Sequence, residues 1–306
     1  MIVDAHSHYM PPQVAQHTAF FKQFWSDPDA QLTLMDAHGV DKAVLLYPTS
    51  DAHLNMGGWG RLCEAYNPAI AALVDKHPKR FIGGGILPVD TPENIPHELR
   101  RIQELGLSVL SLASSYEKRY LDDPLFFPVY EFAQKQKMPI HIHPQIMDPI
   151  GEERLKDPLL SPVLEYVFDV SASLGRMMMA GVFSQFPHVK FIFAHYGGVL
   201  PVVKERFDTT YQMLRGRNFV KDLGKLPSEY FCNLYFDMSG SASRGAFAAA
   251  LEVVDPTHLL WGSDFPANRN LAGSIGVVRT SELSDAQKLQ ILGNNFSGIL
   301  SGALVL

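Results

Sequence analysis

Short apolar runs recur along the whole chain, and between them apolar residues fall at three- and four-residue spacing. The short runs predict strands at Ile2–His6, Lys42–Tyr47, Phe81–Leu87, Ser108–Leu112, Pro139–His143, Lys190–His195, Phe231–Asp237 and His258–Gly262. The wider spacing predicts helices at Leu32–His38, Arg61–Lys76, Asn94–Leu105, Leu125–Lys137, Pro162–Phe186, Leu200–Leu214, Arg244–Val254 and Asp285–Leu292. Strand followed by helix, eight times over, is the pattern of a (β/α)8 TIM barrel, here one α/β domain over residues 1–306. A doubly wound sheet is the alternative, but the Gly-x-Gly-x-x-Gly turn that would support it is missing. The Gly83-Gly84-Gly85 run lies inside a strand and reads as close packing. The longest irregular stretches follow strand 1 (Tyr9–Ala30) and strand 5 (Gln145–Leu160), on the face where barrels carry their sites. The first holds Phe20, Phe21, Phe24 and Trp25, an aromatic lid or a packing cluster.

Composition narrows the class. With 46% hydrophobic and 19% charged residues the chain has material for a large core, which excludes global disorder. A net charge of −6 and the lack of a basic run argue against nucleic acid as a partner. The two cysteines, Cys63 and Cys232, are far apart, so neither a disulfide scaffold nor a zinc ribbon is expected. No apolar run reaches membrane-spanning length and no secretory leader precedes strand 1. The expectation is a soluble, cytoplasmic protein.

Chemistry concentrates at the carboxyl ends of the strands. Side chains two apart on a strand share a face, so His6 and His8 aim at one point and make half of a metal site. His143 ends strand 5, with His141 on the same face one layer deeper, where it reads as a packed or supporting histidine. His195 ends strand 6 and Asp264 follows strand 8. Any one of these is an ordinary polar residue. Four strand ends carrying such residues at the catalytic rim read as a site.

These residues, with His143-Pro144, Gly181-Val182-Phe183 through Phe186-Pro187, Ala194-His195-x-Gly197-Gly198, Gly262-Ser263-Asp264-Phe265-Pro266 and Gly293-Asn294-Asn295, resemble the amidohydrolase superfamily in its amidohydrolase-2 branch. That branch is similar to aminocarboxymuconate-semialdehyde decarboxylase and γ-resorcylate decarboxylase. The resemblance implies one divalent metal on His6, His8, His143 and Asp264, with Zn²⁺ suiting three imidazoles and a carboxylate and Mn²⁺ competing. It implies His195 as the acid/base, with Asp264 both ligand and holder of a water. Binuclear members bridge two metals with a lysine ending strand 4. Here that strand runs on to Ser115 with no lysine before Lys118, so one metal is expected.

Arg206, eleven residues after His195, matches an arginine that grips a substrate carboxylate in a neighbouring subunit. The resemblance therefore implies a homodimer, whereas composition alone allows a solvated helix arginine beside Lys204 and Glu205. The semialdehyde decarboxylase has a second gripping arginine after strand 1, and this chain has none before Arg61. A small monocarboxylic acid, aromatic or enoic, is thus the expected substrate and non-oxidative decarboxylation the expected reaction. Metal-assisted hydrolysis or hydration of an ester, lactone, amide or enoic acid needs the same residues and is the alternative. A barrel that binds metal without catalysis would have no need of His195.

Overall fold

Eight parallel strands form one sheet in sequence order: β1 (Val3–His8), β2 (Lys42–Leu46), β3 (Phe81–Gly85), β4 (Val109–Ala113), β5 (Ile140–His143), β6 (Phe191–Phe193), β7 (Tyr235–Asp237) and β8 (Leu259–Leu260). The coordinates are a computed structural model, which describes residues 1–117, 119–150, 157 and 159–301. Strand order alone leaves β1 and β8 at the edges. The backbone joins them: Ala5 donates to the Trp261 carbonyl (3.0 Å), His8 to Phe265 (2.7 Å), and Asp264 to His6 (2.8 Å). The sheet is thereby nearly closed, and the α/β architecture is that of a TIM barrel.

The helices between strands are α1 (Pro28–His38), α2 (Trp59–Lys76), α3 (Ile95–Glu104), α4 (Phe127–Gln136), α5 (Tyr166–Met179), α6 (Lys204–Arg215) and α7 (Arg244–Leu251), with α8 (Leu271–Arg279) and α9 (Asn295–Ser301) after β8. Inside the sheet, Val3, Ala5, Val44, Leu46, Val109, Ile192 and Leu260 form a cluster that continues into Phe296, Ile299 and Leu300 of α9. Asn295 fixes that helix by donating to the carbonyls of Pro256 and Leu259, both at 2.8 Å. A larger cluster lies between the outer faces of the strands and the helices.

Several boundaries differ from those read in the sequence. β1 runs on to His8, so both histidines lie within it, and its register against β2 shifts between Asp4 and Ser7. α1 begins at Pro28 because the Asp27 carboxylate accepts from the Ala30 amide (2.9 Å) and caps the first turn. The long helix expected over Pro162–Phe186 is three pieces: a π-turn at Ser161–Glu165, α5, and a short turn at Val182–Gln185 after Gly181 (φ 81°). Residues 227–233 form a 3-10 turn, so the apolar pair at Phe231 precedes β7 instead of starting it. Helices α8 and α9, and a small ribbon pairing Ser115–Tyr116 with Arg119–Tyr120, are additions.

The stretch after strand 1 is less irregular than expected, holding a short helix at Pro12–Ala15 and a 3-10 turn at Gln23–Ser26. Of the stretch after strand 5, residues 151–156 and 158 lie outside the described residues, as does Lys118. The three glycines of β3 are packed as expected: a Cβ on Gly83 would strike Leu107, and one on Gly85 would lie 2.7 Å from Ile102. Among the described residues, no helix is long and apolar enough to cross a membrane.

Candidate metal centre

His6, His8, His143 and Asp264 converge at the carboxyl end of the barrel, with one ligand atom from each lying within 4.8 Å of the others. All three histidines are buried, and the Asp264 side chain is 16% exposed. Each imidazole is oriented from behind. His8 Nδ1 faces the Leu46 carbonyl (3.3 Å), His143 Nδ1 the Pro144 carbonyl (2.9 Å), and His6 Nδ1 the Asp237 carboxylate (3.0 Å). A neutral imidazole has one proton, and these acceptors draw it to Nδ1 in all three rings. Every Nε2 then presents a lone pair to the centre.

The geometry there suits a cation. His6 Nε2 is 3.0 Å from His8 Nε2, and Asp264 Oδ1 is 3.2 Å from His8 Nε2 and 3.5 Å from His6 Nε2. Protonating the rings would relieve the crowding, but burial opposes it. Burial lowers His6 from 6.5 to about 4 despite the attraction of Asp237, and it lowers His143 well below its ordinary value, helped by the neighbouring histidines. Burial raises the Asp264 carboxyl, yet the His8 contact and the positive fields of His6 and His195 carry it below its ordinary value. Three imidazole nitrogens and a carboxylate directed at one point fit a divalent metal ion.

Asp237 is the residue that sequence reasoning missed. It ends β7, is completely buried, and accepts from four donors. One oxygen takes His6 Nδ1 (3.0 Å) and His141 Nε2 (2.8 Å), and the other takes the amides of His195 (3.2 Å) and Ser239 (3.0 Å). Burial pushes its carboxyl up, but His6 and the hydrogen bonds from His141 and His6 hold it well below the usual range. Its place at the end of a predicted strand, level with His143 and His195, is the signal that points to it. His141, Asp237 and His6 also form a group of ligand type. There the contacts are ordinary hydrogen bonds, with a proton available for each, so this group supports the metal ligands from behind.

His195 stands at the rim with φ 51°, followed by Tyr196 at φ 60°. Its ring centroid is 5.4 Å from that of His6 and 6.1 Å from that of His143. Nδ1 lies 3.2 Å from the Ser239 carbonyl and 3.1 Å from the Ser239 hydroxyl; the carbonyl can only accept, which favours the proton on Nδ1 and leaves Nε2 free. Asp4, beneath the ligands, accepts from the Ser263 amide (2.8 Å), the Ser263 hydroxyl (2.5 Å) and the His6 amide (3.1 Å). Burial raises it to about 7 against those hydrogen bonds.

The aromatic stretch after β1 splits in two. Phe21 and Trp25 are buried and pack edge-on at 4.6 Å, with the Trp25 ring 6.0 Å from His8, while Phe20 and Phe24 are exposed. Arg206 lies on α6, is exposed, and makes no ion pair among the described residues, and none of the contacts of the histidine cluster described above includes it.

Comparison with known proteins agrees with this architecture. The chain is 30% identical to the 2-amino-3-carboxymuconate-6-semialdehyde decarboxylase of Dictyostelium discoideum, over 90% of this chain and 78% of that protein. Its fold matches the crystal structure of 5-carboxyvanillate decarboxylase from Sphingomonas paucimobilis with a TM-score of 0.87 at 24% identity, covering 98% of both chains. It also matches a dihydroxybenzoic acid decarboxylase from Polaromonas sp. JS666, solved with manganese and the inhibitor 2-nitroresorcinol. That match has a TM-score of 0.81 at 21% identity and covers 100% of this chain and 99% of the other. The amidohydrolase family profile spans residues 3–295, and the chain belongs to that family.

Proposed function

We propose that this protein is a metal-dependent carboxy-lyase that removes CO2 from a small aromatic or enoic carboxylic acid. The observation that carries the reading is the cluster of His6, His8, His143 and Asp264, in a chain aligned almost end to end with a decarboxylase. These four residues would hold one divalent cation. When bound, such a cation polarises a substrate oxygen and favours its anionic form. Zn²⁺ is proposed from the ligand types, and Mn²⁺, present in the Polaromonas relative, is its competitor.

His195 is the proposed acid/base. Its free Nε2 takes up a proton and delivers it to the carbon bearing the carboxylate. A C–H bond forms there, the C–C bond to the carboxylate breaks, and its electron pair returns to the ring or enoic system as CO2 leaves. Asp237 holds the backbone of His195 and the ring of His6, coupling the proton carrier to the metal ligands. Replacing His195 by Ala should lower kcat by about 10²–10⁴-fold and leave metal content unchanged. His143→Ala should release metal. A His195→Ala protein that loses metal would make that residue a ligand instead.

The proposal includes a homodimer in which Arg206 grips the substrate carboxylate of the partner's site. Support comes from the exposed apolar residues just before it in the chain, Val202 and Val203. Mixing Arg206→Ala with His195→Ala protein should then restore activity, because one site in a mixed dimer keeps both residues. Confirmed mixed dimers without recovery would count against a shared site. A cytoplasmic location belongs to the same proposal, consistent with Cys63 and Cys232 both being free.

A further inference from the structure

Three of the four residues assigned to the metal meet at the seam where the barrel closes. His6 and His8 lie on β1, and Asp264 lies just past the end of β8. Asp264 has φ 61°, in the left-handed region that a residue other than glycine enters at a cost and keeps only where its surroundings hold it. Its own amide donates to the His6 carbonyl (2.8 Å), and the Phe265 carbonyl beyond it accepts from the His8 amide (2.7 Å).

Further holding comes from one buried pair, Asp4 and Ser263. One oxygen of the Asp4 carboxyl accepts from the Ser263 amide (2.8 Å) and the His6 amide (3.1 Å), and the other accepts from the Ser263 hydroxyl (2.5 Å). The Ser263 hydroxyl oxygen accepts in turn from the Phe265 amide (2.9 Å). The residue before Asp264 and the residue after it are therefore both tied to Asp4, and so is the backbone of His6. Gly262 completes the seam: a Cβ there would lie 2.7 Å from the His6 Cβ, so this close approach of the two strand ends requires glycine.

Asp4, His6 and His8 alternate along β1, which puts Asp4 a layer below the two imidazoles, inside the barrel. A buried carboxyl is costly there, and packed apolar side chains in place of the pair would keep the fold at little loss. Apolar side chains could not grip the amides on both sides of Asp264. We propose that Asp4 and Ser263 are positioning residues, which hold the Asp264 carboxylate toward His6 and His8 for the metal ion. The role assigned to the pair rests on the four-residue metal centre and not on the reaction carried out there.

The test measures the affinity for Mn²⁺ and Zn²⁺, by competition with a chelating dye, in the wild type, Ser263→Ala, Asp4→Asn and Asp4→Ala. Far-UV circular dichroism of the metal-free proteins reports on the fold. Groups that orient a metal ligand from behind are worth about 10–100-fold in affinity, and Ser263→Ala should weaken binding within that range. Asp4→Asn, which keeps an oxygen for the two amides, should lose less than Asp4→Ala. The decisive comparison repeats Ser263→Ala in an Asp264→Ala background, where three imidazoles remain and no carboxylate is left to position. There the change should be less than about twofold. An equal loss in both backgrounds overturns the inference, because a general disturbance of the seam would not act through Asp264. Unchanged affinity in Ser263→Ala overturns it as well, and so does a Ser263→Ala protein that fails to fold, which would make the pair structural. A wild type that binds neither ion removes the metal centre and the role of the pair with it. CO2 release is scored separately: metal affinity that depends on Ser263 through Asp264, in a protein that releases no CO2, leaves the positioning role standing and removes only the decarboxylase reading.

Discussion

At the residue scale, the centre is built from buried imidazoles kept neutral, and this has a consequence for the metal-free chain. An unfolded histidine takes a proton near its ordinary value of 6.5, whereas folded His6 does so only near 4. Between those values the unfolded state binds more protons, so stability rises with pH. His143 and His141, also lowered first by burial, act in the same direction. Asp4 opposes them: it is raised from 3.8 to about 7, so the folded state keeps its proton and stability falls as pH rises through that window. Asp169, also raised by burial, acts with Asp4, and three histidines set against these two carboxyls should make the metal-free protein melt lower as pH falls from 6.5 toward 4. A Tm that climbs on acidification would show that the two carboxyls outweigh the histidines. The cluster of His6, His8, His143 and Asp264, with His195 beside it, was legible because these residues all stand at or just beyond strand ends. Asp237 occupies an equivalent end but reads as an isolated carboxylate, and only the contacts with His6 and His141 reveal its role.

At the element scale, the barrel strands were legible because each is an apolar run short enough to exclude a helix. The departures have local causes. Glycines at 273 and 276 interrupt the helical pattern of α8, and α9 is too short to establish a period. The segment before β7 is apolar enough to pass for strand yet turns as a 3-10 helix. One contact between elements bears on the loop that carries His195. Gly198, at φ 72° and ψ −134°, lies where a Cβ would strike the Val167 carbonyl and the Ser171 hydroxyl of α5. That backbone conformation suits glycine, and the contact sets the distance between the His195 loop and α5. Gly198→Ala should therefore destabilise the fold by about 1–3 kcal/mol and lower turnover, as read by denaturant unfolding and kcat. An unchanged midpoint and rate would mean that the loop is free to shift.

At the scale of the whole molecule, closure of β8 onto β1 brings Asp264 against His6 and His8, residues from opposite ends of the chain. That meeting follows from barrel topology, so counting strands was enough to anticipate it. Substrate choice does not follow from topology. It lies in the loops above the rim, where Trp25 and, in the proposed dimer, the partner's Arg206 are candidates for contact with an acid. In the proposed function the assembled centre cleaves a C–C bond to a carboxylate. The most direct measurement incubates the metal-loaded protein with phenolic and unsaturated carboxylic acids, lactones and esters, and follows product masses and CO2. At least one acid should lose CO2, and removing the metal should stop the reaction. Products that gain water, with no CO2 released from any acid, would contradict that function and place the protein among hydrolases or hydratases.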